Sequence, residues 1–119
     1  MQDETKPGDK QKLYFERFDK IVRDRLKALV TDAMIEAHRR SPAGPHDDAT
    51  ERVLNYFRRA AVKDKYAALA VKPFAEYRLM AMSGRRGVIP RFVSDEVFTS
   101  EDEVQHAIFL RRIADLMAS

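Results

Sequence analysis

The stretch "DEVFTSEDEVQHAIFLRRIADL", residues 95–116, decides how the rest of the chain is organised. Ser100 and Glu103 stand at capping-box spacing, and Glu101, Asp102 and Glu103 lie where the positive end of a helix dipole attracts negative charge. Thr99 or Ser100 therefore starts a helix that runs to the C-terminus. Winding it at 100° per residue gathers Phe109, Leu110, Ile113, Leu116 and Met117 on one arc with His106 near its middle, and this arc is the expected core face. Val104 and Ile108 fall on the opposite side, between Arg111, Arg112 and Asp115. Apolar residues on two sides of one helix, flanked by arginine, suit an interface with another protein, where arginine and buried apolar groups are both enriched.

Upstream of this helix, VIPRFV (88–93) is rich in strand formers, but Pro90 confines it to an edge strand or an extended strap. Gly84 and Gly87 bracket a turn before it. The preceding KYAALAVKPFAEYRLMAMSG (65–84) carries helix formers, yet Pro73 interrupts it and polar Glu76 and Arg78 alternate with Tyr77 and Leu79. Two short extended segments flanking Pro73 are expected, giving a small two- or three-stranded antiparallel sheet.

Further toward the N-terminus, Leu13, Tyr14, Phe15, Phe18, Ile21, Val22, Leu26, Leu29, Val30, Ala33, Met34 and Ala37 recur at spacings of three and four, one face of a helix. Unbroken to His38, that helix would be on the order of 40 Å long, whereas a domain of this size has a radius of gyration near 14 Å. Either it breaks, with Thr31 or Asp32 capping a second helix, or it reaches past its own core. The segment Ser41-Pro42-Ala43-Gly44-Pro45 forbids helix, and Asp47, Asp48 and Thr50 offer N-caps to a short central helix through Arg59 with Val53, Leu54, Phe57 and Ala61 as its apolar set. Residues 1–9, polar and containing Pro7-Gly8, read as a disordered tail, and residues 10–119 as a single small domain. The fold class is α+β, predominantly α.

Composition limits the function. The 119 residues can bury about two thirds of their unfolded surface in one modest core. Charged residues make up 34% against roughly 25% in an average domain, yet 22 Lys+Arg nearly balance 19 Asp+Glu. There is no cysteine, which removes disulfides and thiolate chemistry. No basic-then-apolar leader opens the sequence and no stretch approaches 18 consecutive apolar residues, so a cytoplasmic protein without membrane contact is expected.

A catalytic set is not visible. His106 has an ordinary pKa suited to proton transfer, but no second histidine at i+3 or i+4, and His38 and His46 fall in or beside a loop. The expected role of His106 is a hydrogen-bonded core histidine at the foot of the helix. There is no phosphate loop, no GxGxxG and no Ser or Cys in a nucleophile context. NYFRR (55–59) and EYR (76–78) interleave aromatics with arginine, a pattern that serves either single-strand nucleic-acid stacking or protein-interface anchoring.

Asn55-Tyr56-Phe57-Arg58, Lys65-Tyr66, Tyr77-Arg78, Gly87 with Pro90, Asp95-Glu96 with Phe98-Thr99, His106-Ala107, and Phe109-Leu110-Arg111-Arg112-Ile113 with Asp115, in this order and at these spacings, resemble the small subunit of N,N-dimethylformamidase. The likeness runs from about residue 50 to 116, while the first 45 residues share only a charged, aromatic-containing helical character. The resemblance implies an amidohydrolase that splits dimethylformamide into formate and dimethylamine and is assembled from small and large subunits. It also implies that the iron centre and the catalytic residues belong to the large subunit. On this reading the chain itself carries no catalytic, cofactor-binding or metal-ligating residue, and Tyr56, Arg58, Tyr77, Arg78, Val104, Ile108, Arg111 and Arg112 make cross-chain or domain-locking contacts. The competing expectations are a small basic nucleic-acid-binding protein and a stand-alone homodimer.

Overall fold

The computed structural model describes residues 7–59 and 65–119. Four helices, α1 (Pro7–Leu29), α2 (Asp32–Arg40), α3 (Asp48–Arg59) and α4 (Glu101–Ala118), are joined by three strands, β1 (Tyr66–Lys72), β2 (Glu76–Ala81) and β3 (Arg91–Phe92), placed between α3 and α4. The architecture is the α+β, predominantly α arrangement expected. The first six residues of the expected tail and Ala61 lie outside the described residues. Pro7, Gly8 and Asp9 do not belong to a tail: they open α1, where a first-turn proline sacrifices no helical hydrogen bond.

The long N-terminal pattern both breaks and projects. Val30 leaves the helix, and Thr31, in extended conformation, caps α2 by accepting a hydrogen bond from the Met34 N–H at 3.1 Å. Leu26 and Met34 on either side of the break enter one core. The N-terminal half of α1 does not, and the chain spans 62 Å in its longest direction with a radius of gyration of 17.2 Å. That exceeds the roughly 14 Å of a compact domain of this length.

The strands flank Pro73 as the alternation of Glu76 and Arg78 indicated. β1 and β2 form an antiparallel hairpin with Ala68 opposite Leu79 and Tyr66 opposite Ala81, and β3 adds to the other side of β2, Met80 opposite Phe92. The order is β1-β2-β3, with the Pro90-containing segment at an edge, where a proline costs no ladder bond. A bulge between Ala70 and Lys72 adjusts the register near the turn.

α4 is the spine. At its start, Ser100 Oγ accepts from the Glu103 N–H at 3.2 Å. The return arm of the box goes one residue further back, Glu103 Oε2 accepting from both the N–H and the hydroxyl of Thr99 at 3.1 Å. On one side Phe109, Ile113 and Leu116 join Leu26, Met34, Val53 and Phe57. On another, Val104 and Ile108 meet Leu79 from the sheet, with Tyr66, Ala68, Tyr77, Val93 and Phe98 around them. The helix is two-sided because it lies between a helical layer and a sheet of its own chain. The expectation that Val104 and Ile108 wait for a partner is thereby corrected: they are 0% and 5% exposed. The core arc shifts accordingly, leaving Leu110 and Met117 exposed rather than central.

Candidate functional site

Tyrosine and arginine side chains lock the three layers to one another. Tyr56 on α3 donates its hydroxyl to Asp19 Oδ1 on α1 at 2.9 Å, and burial together with that carboxylate pushes its pKa up. Arg58 stays on its own helix, bonding Asn55 Oδ1 at 3.0 Å and approaching Glu51 at 3.6 Å. Tyr77 contributes its backbone N–H and C=O to Phe98, both at 2.8 Å, which ties the segment before α4 to β2. Arg78 lies 3.6 Å over the Phe92 ring and donates to the Ser94 carbonyl at 2.8 Å. Arg112 donates to the Tyr66 carbonyl at 3.2 Å, while Tyr66 returns its hydroxyl to Asp115 at 2.6 Å, so α4 and β1 are joined twice. Burial pulls the Arg112 pKa down. Arg111 lines a shallow groove with Val97, Phe98 and Leu110. Of the eight residues singled out in the sequence, Tyr56, Arg58, Tyr77, Arg78 and Arg112 thus have partners within the chain and Val104 and Ile108 are core.

The three histidines, scattered in sequence, meet in space. His38 lies in the last turn of α2, is 4% exposed and places its Nδ1 2.9 Å from Nδ1 of His106 on α4. Its ring lies on Phe109 at 3.9 Å between centroids and stacks with His46 at 5.4 Å. His46 in turn donates from Nε2 to the Pro42 carbonyl at 3.1 Å. His106 is therefore not without company, and His38 stands in the last turn of α2, beside the linker that carries His46. Neutral imidazoles meeting through Nδ1 take opposite tautomers, one donating and one accepting. Burial first, then His106 and His46, pulls the His38 pKa down to about 4. Burial and Arg39 lower His106, with Glu36 opposing. Among the described residues no carboxylate is hydrogen-bonded to this pair as it would be to orient a general base. Among the described residues no three His, Asp or Glu side chains converge as metal ligands. No spacing signal revealed the meeting, since His38 and His106 are 68 residues apart.

The fold leaves the apolar side chains in the N-terminal half of α1 largely exposed. Leu13, Tyr14, Phe15, Phe18 and Ile21 are between 49% and 73% exposed. From Val22 onward the same helix joins the core. Residues 13–21, roughly 13 Å of helix, thus carry an apolar face that joins neither core of the described residues, while Asp19 beside it holds Tyr56. The sequence pattern identified the face, and only the packing shows that it is uncovered.

The sequence profile of the N,N-dimethylformamidase alpha subunit matches residues 13–119. The chain belongs to this family. An N,N-dimethylformamidase alpha subunit from Paracoccus aminophilus is 29% identical over 113 residues, covering 91% of this chain and 79% of that one. Another, from Alcaligenes sp, is 34% identical over 88 residues, covering 71% of this chain and 65% of its own length. The family match thus reaches well upstream of residue 50 and takes in the exposed face of α1. A member of an alpha-subunit family is one component of an assembly, and no helix among the described residues is long and apolar enough to cross a membrane.

Proposed function

We propose that this chain is the small, non-catalytic subunit of a cytoplasmic amidohydrolase that cleaves dimethylformamide or a closely related small amide, and that it docks on a large catalytic chain. The observation that carries this reading is the projecting face of α1. Its three aromatics alone present on the order of 400 Å² of apolar surface, as large as the biggest such patch on an ordinary monomer. A monomer gains nothing from three aromatic rings in water on a helix that outruns its own core. A subunit does, because burial against a partner recovers their transfer free energy and stabilises both chains by mass action. Iron, in this reading, is held by the large chain.

The test is co-expression with the large chain of an N,N-dimethylformamidase. A stoichiometric complex that releases formate from dimethylformamide is the expected result. Persistent elution of the small chain as a free monomer overturns the proposal, as does formate release by the large chain alone at the full rate and stability.

A further inference from the structure

The turn between β1 and β2 carries two unfavourable choices in one residue. Ala75 N–H returns to the Lys72 carbonyl at 3.0 Å, so Lys72-Pro73-Phe74-Ala75 is a hydrogen-bonded β-turn. Pro73 fixes a negative φ at the first central position, and Phe74 follows with φ +62. A positive φ there is the mark of a type II turn, where glycine or asparagine is the residue that fits and a bulky side chain is strained. The Phe74 ring is also 94% exposed, more than any other large apolar residue of the described chain. Neither feature helps the isolated fold, because the ring touches no core and glycine would relax the backbone.

The face of the sheet turned away from α4 continues this surface. Leu79 and Ala81 point into the core, so their alternates Arg78 and Met80, the paired Leu69 and Ala67, and Phe92 share the outer face. Leu69 and Phe92 are 40% and 46% exposed, where an antiparallel sheet with one solvated side ordinarily places polar residues. The surroundings remain basic with the adjacent acids included: residues 65–96 contain Lys65, Lys72, Arg78, Arg85, Arg86 and Arg91 against Glu76, Asp95 and Glu96, with Asp95 3.7 Å from Arg78. Two copies meeting through this face would set like charges against each other, whereas an acidic surface is complementary.

We infer that the β1–β2 turn is a second docking element, with Phe74 inserting into an apolar, acid-rimmed pocket of the large subunit. This rests on the reading of the chain as a subunit. It adds that the subunit grips its partner at the sheet as well as along α1. The strain at Phe74 is then offset in the assembly, where a buried aromatic anchor dominates binding.

Phe74→Gly separates an anchor from a structural residue, because the two roles predict opposite signs. As an anchor, the isolated variant melts at the same temperature as wild type or higher, while its affinity for the purified large chain falls at least roughly tenfold, as loss of an interface anchor does. Phe74→Leu restores part of that affinity at unchanged backbone strain, and raising salt weakens the wild-type complex through the arginine rim. If wild type binds the large chain and Phe74→Gly binds equally well, this inference is overturned and the subunit reading stands. Absence of any wild-type complex removes both. Dimers of the small chain that Phe74→Gly dissolves would show a second copy to be the occupant and overturn the choice made here.

Discussion

Lowering the pH from 7.5 to 4.5 should cost this fold about 2.5 kcal/mol through His38 alone. The group is buried with its Nδ1 against His106, and its pKa falls from 6.5 in the open chain to about 4 in the fold. A depressed histidine pKa means that the folded state binds fewer protons than the unfolded one. Its contribution is therefore fully present above pH 6.5, is lost progressively as pH falls toward 4, and loses nothing more below that. At 1.36 kcal/mol per tenfold change in proton affinity the whole effect is about 3 kcal/mol, of which about 2.5 kcal/mol is spent by pH 4.5. The groups acting electrostatically on the pair are His46 in the linker and Glu36 and Arg39 on α2. Glu36 is held at about 2 by Arg39, so it remains ionised throughout this window. Urea unfolding of wild type and His38→Phe at pH 7.5, 6.0 and 4.5 measures the effect. The phenyl ring keeps the stack on Phe109 and has no proton to bind, so the variant should lose clearly less than wild type over the same range, the remainder coming from His106, whose pKa burial also lowers. Parallel curves for the two proteins, or a wild type that gains stability on acidification, would refute the reasoning.

Val104→Asp should destabilise the isolated chain by about 3 kcal/mol or more in urea unfolding, because the side chain is fully enclosed beneath the sheet with no polar partner. A surface role for Val104 predicts no change. Thr31→Ala removes the acceptor for the Met34 N–H and should lower stability by about 1 kcal/mol, read as a drop in the melting temperature. Phe15→Ser with Phe18→Ser should leave the melting temperature within error yet weaken capture of the large chain at least roughly tenfold. Unfolding of that double variant would show instead that the α1 face supports the monomer.

Local chemistry made most of the elements legible. Capping spacing placed α4, the threonine at the break divided α1 from α2, and the proline between two alternating runs separated β1 from β2, because these signals act over three or four residues of backbone. The likeness of Asn55–Arg58 and Phe109–Ile113 to a dimethylformamidase small subunit was equally legible, since it lies in residue order alone. Which residue faces which was not. Val104 and Ile108 read as a spare face because a helical wheel has no knowledge of a sheet that closes over it. His106 read as solitary because its partner is 68 residues away. Burial depends on what the rest of the chain brings to a surface, a non-local sum that no single segment carries. For the same reason only the folded chain shows that the α1 aromatics and Phe74 are left outside, and the surplus apolar surface that points to a second protein becomes visible only once the first has packed.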